Sequence, residues 1–425
     1  MSSYYSKLCD QALLHLAWKG ISKTNRESHG FDQQTIKDFS DHLGENIANL
    51  SRELRDRKFE FGPARGVLAR KEGNKRRPIK VPAVRDRVVL SGVRLLISPR
   101  FEQFDQDCSY GYVRGRNVRD AINKVKDLAL QGKIWVLEAD IQKFFDTVNQ
   151  EFLIQEFTKQ IRAVSLLPLL NQAIRVEVGN LACFQPYDRA MFPAPDSGIP
   201  QGGVLSPMLA NFYLHQFDLE MTRNGFNLVR YADDFVVMCK SKAQAQEAYQ
   251  LSVDLLEGRL KLRMHHLGEA DAKTKITNYY DGFTFLGIRF DKGRLYPSAK
   301  VVARLKDKIG RLTQPHPHHP ILNSLVSLRN TLEGWGNAFK GYDSQLIFED
   351  VDKSVRASLT KMLRAHDLFR RDITLGQYHL KILGIPSLIR FLPRQELSPS
   401  ARPSLSTDVR TRSEGKPSTV LPSTA

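Results

Sequence analysis

Three aspartates are the residues of this sequence best suited to chemistry. Asp233 and Asp234 are adjacent in the segment LVRYADDFVVM, and Asp140 ends the apolar run IWVLEAD. Two adjacent carboxylates cannot both be buried without a cation, and Mg²⁺ takes one or two carboxylates together with phosphate oxygens. Three carboxylates from two neighbouring strand ends could hold two metal ions about 4 Å apart, which suits in-line phosphoryl transfer. The alternative is that the aspartate pair is simply a polar hairpin turn.

The elements that must position these aspartates are short strands in a mixed α/β region. Two β-prone runs surround the pair of aspartates, which predicts a tight hairpin, and strands alternate with helices from about residue 61 to 295. Residues 1–60 have helical apolar spacing. After Pro297, an apolar stripe runs beside a basic stripe that includes Lys300 and Arg304. This pattern predicts an amphipathic helix, so the coarse order is helix, mixed α/β, helix.

The composition indicates a folded, strongly basic protein. Of its 425 residues, 63 are Lys or Arg and 46 are Asp or Glu, and 41% are hydrophobic. These values exclude wholesale disorder, and the four cysteines lack the spacing of a disulfide framework or zinc ribbon. A net charge of +17 points to a polyanion, most often nucleic acid, and a basic protein without such a partner is the alternative. We expect no signal peptide, no membrane span and no membrane partner.

The excess charge is concentrated in two regions of the predicted body. Residues 65–87 contain nine basic and two acidic residues, and residues 296–393 contain fifteen basic and eight acidic residues. Residues 393–425 are about half Ser, Thr and Pro, and we predict a disordered tail there. The two basic regions are predicted to be the walls of a nucleic-acid cleft.

Several blocks of the sequence, ordered between about residues 25 and 345, resemble motifs of the reverse transcriptases. The resemblance is to the bacterial group II intron-like branch in particular. The blocks are ARKEGNKRRPIKVP (69–82), CSYGYVRGR (108–116), Asp140 with FFD (144–146), IPQGGVLSPMLANFYL (199–214), YADDF (231–235), AKT (272–274), FLG (285–287) and LEGWG (332–336). Their order and spacing match the family from the fingers to the thumb.

The resemblance implies an α+β fold, a right-hand polymerase whose fingers and palm contain antiparallel sheet and whose thumb is α-helical. The expected division is a helical N-terminal extension (1–60), fingers and palm (61–295), a maturase X-like thumb (296–392) and the disordered tail (393–425). The implied activity is that of an RNA-directed DNA polymerase.

The resemblance also implies roles for the residues of the first and second catalytic motifs. Asp140, Asp233 and Asp234 would be the catalytic metal ligands, with the Ile141 carbonyl as a further ligand. They would hold two Mg²⁺ ions, for which Mn²⁺ could substitute. Phe145 would be the steric gate that excludes the ribose 2′-OH, the one group that separates the two sugars. A core aromatic of the palm is the alternative for Phe145.

A second implied set of residues binds the incoming dNTP. Lys71 and Arg77 lie on either side of the EGNK turn and could present two cations to a triphosphate, or they could contact template phosphates. Gln201 belongs to the segment that approaches the nascent base pair. Lys273 would lie near the leaving pyrophosphate, and a surface lysine is its alternative.

A third implied set contacts the primer and template. Glycine removes the Cβ obstacle to close approach, and the basic stripe of the thumb helix would lie along the duplex. The residues of this set are Arg114, Arg116, Gly202, Phe285, Leu286, Gly287, Lys300 and Arg304. The implied partners are an RNA template, a DNA or RNA primer, their RNA–DNA hybrid and dNTPs, and the oligomeric state stays open.

The biological role rests on elimination. Intron-encoded members commonly continue into a DNA-binding region, sometimes with a Cys-rich nuclease. Here only about 50 residues lie between Tyr342 and the predicted tail, and the four cysteines do not suit that nuclease. We therefore expect a stand-alone bacterial enzyme of the cytoplasm that is similar to those of antiphage defence and copies a dedicated, structured non-coding RNA. A group II intron maturase is the direct alternative. An RNA-binding splicing cofactor with a vestigial polymerase site is the alternative from another functional class.

Overall fold

The computed structural model of the protein describes residues 3–21, 25–70, 76–269, 273–315, 320–369 and 375–392. Lys71, Ala272 and the tail 393–425 lie outside these residues, and the predictions made for them stay predictions. The described chain is a mixture of helices and antiparallel sheets.

The first part of the chain is helical, as its apolar spacing predicts. Its helices are α1 (Tyr4–Leu8), α2 (Gln11–Ile21), α3 (Ile36–Asp41) and α4 (Leu43–Arg55). A capping box between Thr35 and Asp38 starts α3. Ile47, Leu50 and Leu54 lie on one face of α4 and are buried.

A hairpin and a long helix follow the N-terminal helices. They are β1 (Arg65–Arg70), β2 (Arg76–Val81) and α5 (Val84–Phe101). β1 and β2 are antiparallel, with Arg65 opposite Val81. α5 packs against the first helices, and one hydrophobic cluster joins α1–α5 to the centre of the molecule. The N-terminal helices are therefore built onto the same core as the residues that follow them.

The central region contains a four-stranded antiparallel sheet in the order β4-β5-β3-β6. Its elements are α6 (Val118–Leu130), β3 (Trp135–Asp140), α7 (Phe144–Thr147), α8 (Gln150–Glu156), α9 (Leu167–Ile174), α10 (Pro186–Arg189), α11 (Ser206–Arg223), β4 (Asn227–Tyr231), β5 (Asp234–Cys239), α12 (Lys242–Val253) and β6 (Lys275–Asn278). Successive strand residues point to opposite faces. Val136 and Val236 thus pack in the cluster of α6, whereas Leu137 and Val237 join the cluster of α11 and α12.

A small sheet and a helical unit complete the described chain. Their elements are β7 (Phe283–Phe285), β8 (Ile288–Asp291), β9 (Arg294–Pro297), α13 (Ala299–Leu312), α14 (Ile321–Phe339), α15 (Gln345–Ala365) and α16 (Gln377–Ile382). The predicted amphipathic helix is α13, on which Leu305 and Ile309 are buried. The residues from Leu305 to Phe391 include a hydrophobic cluster of their own. Among the described helices, none has the length and apolarity needed to cross a bilayer.

Asp86, in the first turn of α5, is a buried carboxylate in an unfavourable setting. Its Oδ2 accepts a hydrogen bond from the Gly62 amide at 3.2 Å. Its Oδ1 has no hydrogen-bond partner within the described part of the chain and lies 3.8 Å from the Arg85 Nε. Burial raises the pKa of Asp86 to about 7, against the opposing charge of Arg85 and the Gly62 hydrogen bond. Below about pH 7, the Asp86 carboxyl of the folded protein is therefore mostly protonated.

Asp86→Asn is expected to make stability less dependent on pH. The unfolded carboxyl titrates near 4 and the folded one at about 7, so folding binds a proton between these values. The contribution of this group to the free energy of unfolding is largest below the pKa of the unfolded chain. It is lost as the pH rises through the pKa of the folded protein. From pH 5 to 8, the wild type should lose about 2–3 kcal/mol more free energy of unfolding than the variant.

Urea unfolding at pH 5 and pH 8 measures this difference. The matched control is Asp127→Asn, which changes an exposed carboxylate on α6 and should leave the pH dependence as in the wild type. An equal pH dependence in wild type and Asp86→Asn would show that the Asp86 carboxyl is not held protonated.

Candidate active site

The pairing of β3 with β5 brings the three predicted aspartates to one end of the central sheet. Asp140 lies directly opposite Asp234 in this antiparallel pair. Opposed residues of antiparallel strands have Cα atoms about 4.5–5.5 Å apart. Asp233 is in the two-residue turn of the β4–β5 hairpin, where Ala232 has a positive φ of 59°. The Ile141 amide donates to the Asp233 carbonyl at 3.4 Å. The predicted hairpin is therefore confirmed, and it meets the second aspartate-bearing strand.

The clustered carboxylates carry an unfavourable negative charge. Burial raises the pKa of Asp234 to about 8, and repulsion by Asp140, Glu138 and Asp233 adds to this effect. Burial, together with the charge of Asp140, also raises the pKa of Asp233. The charge of Lys273 lowers both pKa values in part, and the charge of Arg77 lowers that of Asp233. The site thus has the electrostatic character of a place that favours a bound cation.

Lys273 supplies one positive charge to this cluster, because its Nζ forms an ion pair with the Asp140 Oδ2. The His265 Nε2 lies 3.8 Å from the same oxygen. Among the residues that the structure describes, no three His, Cys, Asp or Glu side chains are close enough together to hold a metal ion. The donor chemistry nevertheless fits a hard divalent cation, since Asp140, Asp233 and Asp234 offer carboxylate oxygens. Such a cation would compete with Lys273 for Asp140.

The predicted gate residue Phe145 lies in α7, five residues after Asp140, and is partly buried. Its ring packs edge-to-face on Phe144, with centroids 5.4 Å apart. Its carbonyl accepts a hydrogen bond from the Ile199 amide at 2.7 Å. Next to it, the Gln201 Nε2 donates to the Asp146 Oδ1 at 2.8 Å. These bonds join the first aspartate motif to the IPQGG segment, so the structure brings Phe145 and Gln201 together.

The β1–β2 hairpin lies against the same IPQGG segment. The Lys80 amide of β2 donates to the Gln201 carbonyl at 2.9 Å, and Gly202 packs on Ile79. Arg77 is exposed on β2, and its charge opposes the burial that raises the pKa of Asp146. The charge of Arg77 likewise lowers the pKa of Asp233, against the effect of burial.

The predicted primer and template residues have different settings. Arg114 is exposed, whereas Arg116 is turned inward, and its Nη1 donates to the Ser109 carbonyl at 2.6 Å. Phe285 is buried, and Leu286 with Gly287 forms the turn between β7 and β8. Lys300 and Arg304 are exposed on α13. Contact with nucleic acid stays a prediction for all eight residues of the set, and for Phe285 it would have to come through neighbouring atoms.

The sequence did not reveal that Arg230, in the first strand of the aspartate hairpin, is buried. Arg230, in β4, is 1% exposed and forms an ion pair with Asp218 of α11 at 2.5 Å. One signal was present: an arginine stands in an otherwise apolar, β-prone run directly before YADD. A charged residue in a buried strand needs a partner, and the sequence does not show that this partner lies twelve residues upstream.

Comparison with known proteins identifies the family. A family described as reverse transcriptase (RNA-dependent DNA polymerase) matches residues 69–290, which is more than half of the 425 residues. The chain belongs to this family. Reverse transcriptases generally use divalent metal ions and act on RNA templates. The α+β right-hand polymerase fold and the class of RNA-directed DNA polymerase, both predicted from the motif blocks, are confirmed.

Individual relatives of this reverse transcriptase differ in how much they share with it. Protein YkfC of Escherichia coli K12 is 29% identical over 330 residues, which are 68% of this chain and 83% of YkfC. The group II intron-encoded protein LtrA of Lactococcus lactis is 28% identical over 216 residues, 50% of this chain and 34% of LtrA. This chain therefore matches about a third of LtrA. Apo telomerase from Candida tropicalis superimposes with a TM-score of 0.45 at 12% identity, covering 83% of this chain and 66% of telomerase.

Gly202→Ala is expected to destabilise this reverse transcriptase more than Gly225→Ala does. Both glycines have positive φ, 90° and 78°, so each alanine is strained by about 1–2 kcal/mol. Only at residue 202 would the new Cβ also meet a neighbour, 2.6 Å from the Ile79 Cγ2, whereas the space around Gly225 is open. The overpacking should cost a further ~1–3 kcal/mol, measured by urea unfolding. Equal losses in the two variants would show that Ile79 yields freely to the added methyl.

Proposed function

We propose that this reverse transcriptase synthesises cDNA on an RNA template, with Asp140, Asp233 and Asp234 as its catalytic residues. The observation that carries the proposal is the register of β3 and β5, which sets Asp140 opposite Asp234 beside the turn that holds Asp233. Three acidic groups at one end of a sheet, in a family of RNA-dependent DNA polymerases, support nucleotidyl transfer at that end.

The proposed cofactor is a pair of Mg²⁺ ions, for which Mn²⁺ could substitute. Asp140, Asp233, Asp234 and the carbonyl of Ile141 would hold them. When bound, they would activate the attacking 3′-hydroxyl and neutralise charge on the leaving pyrophosphate. The repulsion that raises the pKa of Asp234 supports this assignment, because a cation would relieve it.

The proposed dNTP site lies between the β1–β2 hairpin and the aspartates. Arg77, together with Lys71 of the same basic segment, would bind the triphosphate. Phe145 would exclude a ribose 2′-OH, and Gln201 would support the nascent base pair. Lys273 would neutralise the leaving pyrophosphate, and its ion pair with Asp140 supports a position close to the reacting groups.

The proposed nucleic-acid path runs from the fingers to the thumb. Residues 61–295 would form fingers and palm, and residues 296–392 would form the thumb, whose helix α13 presents Lys300 and Arg304 on its exposed face. Arg114, Arg116, Gly202 and the segment 285–287 would contact the primer–template duplex. The partners of the proposal are RNA, a DNA or RNA primer, their hybrid and dNTPs.

Asp233→Asn and Asp234→Asn are each expected to abolish cDNA synthesis, with a loss of at least ~10³-fold, because a carboxylate that holds the metal is removed. Stability should not fall, since burial and the neighbouring carboxylates already disfavour the charged form of each group. Primer extension on an RNA template with Mg²⁺ and dNTPs measures the activity, and thermal unfolding measures the stability.

The control for this experiment is Asp41→Asn, which changes an exposed carboxylate at the end of α3. It should retain full synthesis. If the wild type makes no cDNA, or if both aspartate variants extend the primer at the wild-type rate, the polymerase proposal is wrong. The first of these results would favour a splicing cofactor with a vestigial site.

Phe145→Ala is expected to raise ribonucleotide incorporation relative to deoxyribonucleotide incorporation by roughly tenfold or more, because the ring that excludes the 2′-OH is gone. Single-nucleotide extension with each sugar measures the ratio. Phe152→Ala is the matched control: its ring is also partly buried and packs on Tyr213 at 5.4 Å. Unchanged sugar selectivity in Phe145→Ala would remove its assignment as the gate.

We propose as the biological role the copying of a dedicated, structured non-coding RNA in antiphage defence in the bacterial cytoplasm. The similarity to the intron-encoded LtrA supports a second candidate, a group II intron maturase with polymerase activity. Sequencing the RNA that copurifies with the protein, and the cDNA made from it, separates the two roles. Intron sequence would favour the maturase, and a non-intronic structured RNA would favour defence.

A further inference from the structure

Arg230 is at the centre of a buried hydrogen-bond network directly beneath the catalytic turn. Its Nε donates to the Asp218 Oδ1 at 2.6 Å and its Nη2 to the Asp218 Oδ2 at 2.5 Å. Its Nη1 donates to the Ala232 carbonyl at 2.9 Å and to the Asn211 Oδ1 at 3.2 Å, and its Nη2 reaches the Ser109 Oγ at 2.8 Å. One side chain thus joins β4, α11 and the segment before α6 to the backbone of the turn.

The bond to the Ala232 carbonyl is the one that concerns the active site. Ala232 has a φ of 59°, a conformation that costs a non-glycine residue about 1–2 kcal/mol, so its surroundings must hold it. Its carbonyl begins the peptide unit that leads into Asp233. A charge-assisted hydrogen bond to that carbonyl fixes the plane of this peptide unit and hence the direction in which Asp233 leaves the turn.

Gly111 makes a second close contact with the turn. A Cβ on Gly111 would lie 2.5 Å from the Ala232 amide nitrogen, so only glycine permits this approach. The Gly111 carbonyl in turn accepts a hydrogen bond from the Asn211 Nδ2 at 2.8 Å. The backbone of Arg230 is fixed as well, since its carbonyl accepts a hydrogen bond from the Tyr110 amide at 2.8 Å. The turn is therefore held both by the hydrogen bond from Arg230 and by its close packing on Gly111.

Stability alone does not account for such a pair. A buried Arg–Asp pair is often no more stabilising than hydrophobic residues of similar volume, because the desolvation of two charges offsets their attraction. Asp218 occupies two of the donors of Arg230 and leaves the others directed at Ala232, Asn211 and Ser109. The donors that remain are thus available to orient the turn.

We propose that Arg230, oriented by Asp218, is a positioning residue of the polymerase site that holds the Ala232 carbonyl and thereby sets Asp233 and Asp234 beside Asp140. This inference rests on the proposed polymerase function. Arg230 touches neither substrate nor reacting atoms. It acts through the peptide unit before Asp233, and its loss should lower the rate of the chemical step while the binding of nucleotide and primer–template is retained.

The first test replaces the ion pair by apolar residues in the double variant Arg230→Met/Asp218→Leu. Removing both charges leaves no unpaired buried ion, so this variant should lose less stability than Arg230→Met alone, which leaves Asp218 unpaired. The kcat for single-nucleotide extension should fall roughly 10- to 100-fold, since a small misplacement of catalytic groups has effects of this size. The KM for dNTP and the Kd for an RNA–DNA primer–template should change less than about twofold.

The control is Arg223→Met/Glu220→Leu, which removes an exposed ion pair, 3.5 Å long, from the end of the same helix α11. It should retain the wild-type kcat. Gly111→Ala is a second, independent variant that leaves every charge paired and presses a methyl group on the turn. It should show the same loss of kcat at unchanged KM, which keeps the proposal testable even if the double variant does not fold.

The outcomes distinguish this inference from the proposed function. A folded double variant with wild-type kcat, or a folded Gly111→Ala with wild-type kcat, overturns the positioning role. A melting temperature that falls together with kcat in the double variant, while Gly111→Ala is fully active, assigns Arg230 to stability alone and also overturns it. Asp233→Asn is assayed in parallel: if it retains full synthesis, the polymerase assignment itself has failed.

Discussion

The antiparallel register between β3 and β5 is the constraint on which the site depends. It places Asp140 opposite Asp234, and a slip of one residue would turn one of these side chains to the other face of the sheet. The register is held because both strands are buried on both faces, with Val136 and Leu137 in different hydrophobic clusters. Core packing therefore determines which positions of the two strands meet at the acidic end of the sheet.

The arrangement around the aspartates shows a conflict between folding and activity. Burial and mutual repulsion disfavour charge on Asp233 and Asp234, as their raised pKa values show. The Lys273 ion pair to Asp140 relieves part of this repulsion, and the Arg230 network fixes the backbone on which the acids stand. The acidic end of the sheet therefore keeps an uncompensated tendency to repel negative charge, which a cation would relieve.

The sequence predicted the features that depend on pattern. Two β-prone runs around YADD indicated the hairpin, and the apolar stripe that includes Leu305 and Ile309 indicated α13. The ordered motif blocks indicated the family and its fold. The sequence did not predict the features that depend on contacts between distant residues. Asp218 and Arg230 meet only because α11 packs on β4. Arg116 was predicted to contact nucleic acid, whereas its side chain donates to a loop carbonyl. Patterns of spacing do not reveal which polar groups become buried partners.

The shared core of the N-terminal helices has a practical consequence for protein engineering. The family match begins at residue 69, yet Tyr5, Leu14 and Leu54 belong to the same hydrophobic cluster as Phe157 and Phe217. The start of the family match is therefore not the start of the folded unit. A minimal enzyme trimmed to the matched segment would expose the apolar surface that α5 now shares with α1–α4, and it would be a candidate for aggregation in the expression host.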